Sequence, residues 1–302
     1  MNYLLLLSIG VIWGAQFVLI DVSLQAYTPE QLALLRTLYA LLFLMVFCWI
    51  VRPQKYQRSI KAWLKVALVG ILEVVFPFAL VMWGQQYVSG SMAAILMGTI
   101  PFFTLILVML TKVERATGTK FLGMLVGFIG LVILFAPDLI ASGVTGGILP
   151  KLAILLGALS FAGALTVIKS MQGENAFLLS RDAFFIGTII LILVNLYQGN
   201  LTDLHFPLGE SLASLVLGIL CSGVVYVLYV SLIKRAGAGF CSLSNYLVPL
   251  FGSLLGVLIM GDHLTANMIF ACVLILLSIA VEPLVGYVYN RRKKRLFHES
   301  TK

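Results

Sequence analysis

The chain has 302 residues, 61% of them hydrophobic and only 11% charged, with a formal net charge of +8 and a mean hydropathy of +1.07. A soluble domain carries charge at roughly 25% of its positions, so this composition excludes a water-wetted globule and makes lipid the solvent for most of the chain. The positive balance does not indicate nucleic acid, because the basic residues are parcelled onto one side of the predicted spans.

Taken in chain order, ten helical spans are predicted at about 3–22, 30–51, 63–86, 90–111, 119–137, 150–169, 178–198, 211–233, 239–260 and 264–289. Most are near the roughly 20 residues that cross about 30 Å of hydrocarbon as a helix. They are apolar all round, whereas barrel strands would alternate apolar and polar residues. The charge-free run from Val74 to Thr111 is too long for one crossing, and the polar stretch Gln85-Gln86-Tyr87-Val88-Ser89-Gly90-Ser91 divides it. The first span lacks the basic start of a signal peptide and is kept as a membrane helix. Cys48, Cys221, Cys241 and Cys272 all fall inside spans with no C-x-x-C pair. They read as small packing residues rather than as a disulfide framework or a zinc site, and no metal or cofactor is expected.

With these spans, 18 of the 20 Lys and Arg residues lie on one side, among them Arg52, Arg58, Lys65, Lys169, Arg181 and Lys234 and the tail Arg291 to Arg295. The positive-inside rule then places both termini in the cytoplasm. The basic tail, 290–302, reads as an anchor at an anionic lipid surface.

Sliding the sequence on itself by 148 positions brings Gly70-Ile71-Leu72 onto Gly218-Ile219-Leu220, Pro101 onto Pro249, Glu114 onto Asp262, Thr117 onto Thr265 and Trp13 onto Phe161. Two prolines and two acid-x-x-Thr junctions at one offset indicate an internal repeat. The halves are 1–137 and 150–289, joined by an extracytoplasmic linker at 138–149. Each holds five spans, an odd number, so the second half enters the membrane from the other side. Inverted repeats of this kind place a substrate site near midplane, between the halves.

The segment Gly10-Val11-Ile12-Trp13-Gly14-Ala15-Gln16-Phe17 and its echo Gly157-Ala158-Leu159-Ser160-Phe161-Ala162 carry a resemblance, together with Pro101, Pro249 and the junctions beginning at Glu114 and Asp262. So does the Gly-rich fifth span, Gly123-Met124-Leu125-Val126-Gly127-Phe128-Ile129-Gly130. The sequence resembles the drug/metabolite transporter superfamily, in particular its ten-helix EamA-like branch. The resemblance implies a central cavity lined by spans 1, 3, 4, 6, 8 and 9. It also implies substrates such as amino acids, other metabolites or drugs, often exported across the cytoplasmic membrane. The last span lacks the glycines of its counterpart in the first half, a departure from the family pattern.

Three ionisable residues lie well inside spans, where each needs an explanation. Glu73, about 15 Å from the span boundary, is expected either to bind a cationic substrate or proton, or to bond between helices. Arg36 is expected to reach the interface or a neighbouring helix, with a place at the cavity mouth as the alternative. Glu282, followed by Pro283, suits an ion pair at the cytoplasmic end. Trp13, Gln16, Thr99, Phe161, Tyr226 and Asn245 supply amides, hydroxyls and aromatic faces near midplane for a polar ligand. Pro101 and Pro249 are expected to kink their helices as hinges. The function expected is secondary active transport of a small organic metabolite by alternating access, an amino acid or related amine, with export as the direction. The alternative is an importer or facilitator of a cationic small molecule. An enzyme is disfavoured because His205, His263 and His298 lie in loops or tail and no H-E-x-x-H occurs.

Overall fold

The computed structural model describes residues 1–54, 57–88, 90–113, 118–142, 147–201 and 204–255, with isolated positions 266, 269, 270, 273, 274 and 277. Among the described residues the chain forms nine helical rods. Six are long and apolar enough to cross a membrane: α1 (Asn2–Ser23), α2 (Pro29–Val51), α3 (Ile60–Gln85), α6 (Ile148–Lys169), α7 (Ala176–Gln198) and α8 (Leu208–Ala236). Between them lie α4, in two pieces at Gly90–Met97 and Ile100–Thr111, and the 25-residue α5 (Gly118–Ser142). The last, α9, is also in two pieces, Ala238–Ser242 and Ser244–Leu255. The predicted tenth span falls outside the described residues except for those isolated positions. The junctions at Glu114 and Asp262, Glu282 with Pro283, and the basic tail lie outside them altogether. The fifth helix runs five residues past its expected end, into the predicted linker.

Local chemistry sets the boundaries. Thr28 caps α2 in a reciprocal box, its Oγ1 accepting from the Gln31 amide (3.3 Å) while Gln31 Oε1 accepts from the Thr28 amide (2.9 Å), and Pro29 follows where no intrahelical N–H is needed. Asn175 caps α7 by accepting from the Phe177 and Leu178 amides. The α2 helix stops at Arg52 and α7 at Gly199, both left-handed. On α2, Leu42, Met45, Val46, Trp49 and Ile50 are exposed while Leu41, Leu44 and Cys48 are buried. An apolar stripe facing outward on a helix whose other face is also apolar is the mark of a lipid-facing wall.

The helix contacts fall into matched pairs. Helix α1 lies against α9, and α6 against α4; α2 lies against α8, and α7 against α3; α3 lies against α6, and α8 against α1. Helices α2 and α7 meet each other. Two tight crossings belong to the aligned glycines. A Cβ on Gly70 would sit 2.8 Å from Ala183 O of α7, and one on Gly218 would sit 2.8 Å from Arg36 O of α2, so each glycine lets two backbones approach. Helices α3 and α8 also share a defect, a π segment at Gly70–Val75 in one and at Ile219–Val224 in the other. Their starts are 149 positions apart. The connections at 52–54 and 57–59, at 170–175 and at 237 gather at the end of the bundle that holds Met1.

Candidate functional site

A π segment spoils the regular i→i−4 ladder and frees backbone carbonyls for other donors. Both segments are used in this way. In α3, Leu72 O accepts from Ser160 Oγ of α6 (2.8 Å). In α8, Cys221 O accepts from Trp13 Nε1 of α1 (3.0 Å) and from Arg36 Nη2 (3.3 Å). Each bond ties one half of the chain to the other at mid-bundle, and beside these bonds lies a narrow cavity.

The cavity is about 40 Å³, room for roughly three water molecules. Of the residues singled out from the sequence, it brings together Trp13, Gln16, Glu73, Phe161, Tyr226 and Asn245, with Arg36. Trp13 and Phe161, paired by the repeat alignment, meet edge to face with centroids 5.6 Å apart, and Tyr229 packs on both. Thr99 is not part of the lining. It occupies the break in α4, where its Oγ1 donates to Leu96 O (2.6 Å). Sequence reading missed Phe78, Cys221 and Ser222, which also line the cavity.

Of the roles expected for Arg36, the bond to a neighbouring helix is made and the reach to the membrane surface is not. Arg36 is 4% exposed and faces inward, with Nε donating to Ser222 Oγ (2.6 Å), Nη2 donating to Gln16 Oε1 (3.0 Å), and the guanidinium 3.9 Å from the Phe78 ring centroid. All these partners are neutral. Glu73 is 1% exposed and neither of its carboxyl oxygens has a hydrogen-bond partner; the Tyr226 hydroxyl is equally bare. The interhelical bond expected as one role for Glu73 is not made. The cavity thus holds an unpaired base and an unpaired acid that do not pair with each other, an expensive arrangement for an apolar interior.

The prolines also depart from a simple mid-helix kink. Pro101 stands in the first turn of the second piece of α4, after the non-helical Gly98 and Thr99, where a missing N–H costs little. Pro249 lies within the helical Ser244–Leu255, and its side chain is outside the described residues. A proline cannot donate to the carbonyl four residues before it. Those carbonyls belong to Met97 and Asn245, which both line the cavity and are 148 positions apart.

The cavity is asymmetric. On α1 its lining runs from Trp13 to Ile20 and on α3 from Glu73 to Met82, that is, from mid-span toward the end opposite Met1. Toward the Met1 end, Tyr229, Ile233 and Tyr246 are completely buried. Beyond them lies a charged group that sequence reading overlooked. Arg58 Nε meets Glu174 Oε2 (2.8 Å), Arg58 Nη1 bonds Asp182, and Arg181 Nη2 meets Asp182 Oδ1 (2.6 Å). Glu174 sits in the connection before α7. Burial there raises its carboxyl above the usual glutamate value; Lys234 offsets this and Asp182 adds to it. A usable signal was present: Glu174 and Asp182 are acids close together on the side rich in Lys and Arg.

The profile of the EamA-like transporter family matches residues 1–136 and 149–281. An uncharacterized transporter of Clostridium kluyveri is 26% identical over 76% of this chain and 74% of its own length. Transporter YoaV of Bacillus subtilis, also uncharacterized, is 21% identical over 95% of this chain and 97% of its own. The uncharacterized inner membrane transporter YedA of Escherichia coli K12 is 22% identical over 94% and 91%. One protein crystal structure superposes with a TM-score of 0.78 at 16% identity, covering 95% of this chain and 98% of that one, which speaks to the fold alone. With the helical rods, the lipid-facing walls and a profile that takes in most of the sequence, the chain belongs to the EamA-like transporter family.

Proposed function

We propose that the protein is a ten-helix secondary transporter, built of two inverted five-helix repeats, that moves a small zwitterionic metabolite such as an amino acid by alternating access. The observation that carries this reading is the cavity with Arg36 and Glu73, each buried, each without a charged partner. A solute bearing a carboxylate and an ammonium group would neutralise both at once, and charge-assisted hydrogen bonds are strongest where water is scarce. Trp13, Phe161 and Tyr226 then supply aromatic faces for the rest of the molecule. The repeat is supported by the helix pairings, by the two π segments, by the matched carbonyls of Met97 and Asn245, and by the two separate stretches of the family match. The side that carries the basic residues supports a cytoplasmic Met1 end in a cell-membrane protein, and on that reading the cavity reaches outward. When no substrate is bound, a proton is the simplest partner for Glu73, which makes proton-coupled export the working scheme.

Counterflow into proteoliposomes tests this. Neutral amino acids should exchange, while amines without a carboxylate and acids without an amine should exchange at least about tenfold more slowly, the loss of one charged hydrogen bond or more. Arg36→Met should remove the preference for a carboxylate and Glu73→Gln the preference for an amine. Equal exchange of uncharged solutes would refute the zwitterion reading.

A further inference from the structure

The two ends of the bundle are fastened by different chemistry. At the end opposite Met1, the ties between elements distant in sequence are hydrogen bonds without an ion pair: Gln31 Nε2 donates to Asn200 O (2.6 Å), Asn195 Nδ2 donates to Glu30 O (3.0 Å), the Tyr27 and Ser211 hydroxyls share a bond (2.8 Å), and Gln85 Nε2 donates to Asp21 Oδ1 (2.8 Å). Among the described residues no salt bridge closes that end. At the Met1 end, Arg58 reaches from the connection between α2 and α3 to Glu174 and Asp182, bridging the first half of the chain to the second. The three side chains are at most 9% exposed. The Arg58 guanidinium also lies 4.9 Å from the Trp63 ring centroid, and Lys65 Nζ donates to Ser170 Oγ nearby (3.0 Å).

An alternating-access cycle must open this end. Pulling Arg58 away would strand Glu174 and Asp182 in a site with little water, and an uncompensated buried charge is far costlier than a broken surface pair. Asp182 keeps Arg181, whose Nε and Nη2 both reach it. Glu174 keeps nothing of the kind. Yet Lys234, near the end of α8, has a buried Nζ with no hydrogen-bond partner, and it lies close enough to Glu174 and Arg58 for their charges to act on it. A cation held idle beside an occupied acid is positioned to succeed the one now bound.

We propose that Arg58 holds the Met1 end of the pathway shut and that Lys234 takes over Glu174 when that end opens, so the cycle exchanges one ion pair for another. The substitution of partners keeps Glu174 compensated on both sides of the motion. It makes Lys234 a positioning residue for transport, although it does not line the cavity. This inference rests on the alternating-access reading above and is independent of the substrate.

The test is sided labelling of the full-length protein in membrane vesicles of either orientation, with a membrane-impermeant maleimide and all four native cysteines replaced by serine. Ile233→Cys, completely buried at the Met1 side of the cavity, reports opening of that end. Val81→Cys, in the cavity lining toward the other end, reports opening there. With Arg58→Gln, labelling of Cys at 233 from the Met1 side should rise about tenfold and labelling at 81 should fall, as when a minor state becomes a major one. Glu174→Gln should do the same if Arg58→Gln does not accumulate. Lys234→Gln should leave labelling at 233 no higher than in the parent and should slow solute exchange. Unchanged labelling in both Arg58→Gln and Glu174→Gln would overturn the closure. A rise at both reporters would mean loosened packing and would overturn it equally. If Lys234→Gln raised labelling at 233 as Arg58→Gln does, Lys234 would be part of the closed clasp and the hand-over would be wrong.

Discussion

Replacing Glu73 by methionine separates a functional acid from a structural one. Neither carboxyl oxygen is hydrogen-bonded, and the side chain is 1% exposed. Each orphaned buried polar group costs about 1–3 kcal/mol, and the two oxygens of one carboxyl, whose costs are less than additive, come to about 2–4 kcal/mol. Methionine is unbranched and close in volume, so little packing is lost. The cost is present whether the carboxyl is ionised or protonated. Removing it should raise the melting midpoint of the detergent-purified protein by about 4–8 °C, at about 2 °C per kcal/mol for a chain of this size. Midpoints are compared at one scan rate, since such unfolding is seldom reversible. Exchange of the native solute should be abolished in the same variant. The expected signature is therefore a more stable and inactive protein. A lower midpoint with exchange intact would mean that Glu73 holds helices together, and the reasoning from its bare oxygens would be wrong.

Two further substitutions probe the framework. Pro249→Ala supplies an N–H to the Asn245 carbonyl and should slow turnover several-fold while leaving solute affinity within about twofold, because one backbone hydrogen bond contributes about 0.5–1.5 kcal/mol; single-turnover exchange against equilibrium binding measures the split. Gly14→Ile should lower the melting midpoint, or prevent accumulation of folded protein, since even a Cβ there would lie 2.8 Å from Phe251 Cβ and overpacking of a tight crossing costs about 1–3 kcal/mol. Gly199→Ala, at a left-handed position where an added Cβ would meet no atom within 4 Å, serves as a milder control.

Helix positions were legible because lipid demands long apolar runs and the polar breaks between them are short; the ends at Val51, Lys169 and Gln198 fall where charge and cap residues put them. The meeting of Trp13 with Phe161 was legible from the offset alignment. Thr99 was misplaced because a glycine and a proline three positions apart, Gly98 and Pro101, do not reveal whether a helix bends or breaks, and the chain breaks there. The π segments left no residue signature beyond the aligned glycines, since an inserted residue in an apolar run looks like any other. Arg36 pointed inward because its acceptors, Ser222 Oγ, Gln16 Oε1 and Cys221 O, are supplied by helices remote in sequence, which no reading of span 2 alone contains. The same is true of Arg58, whose partners come from more than a hundred residues away.

A π turn carries one residue more than an α turn, and each residue of an α-helix advances by roughly 100°. The segment at Ile219–Val224 therefore acts as a phase shifter. The stretch of α8 before it, with Gly218, is turned toward α2, and the stretch after it, with Tyr226 and Tyr229, is turned onto Phe184, Trp13 and Phe161. Deleting a single residue such as Leu220 would relax the coil to a regular helix and rotate one stretch out of phase with the other. A change of one codon, with no charge or polar group altered, would thus take the tyrosines off their aromatic partners or the glycine off its crossing.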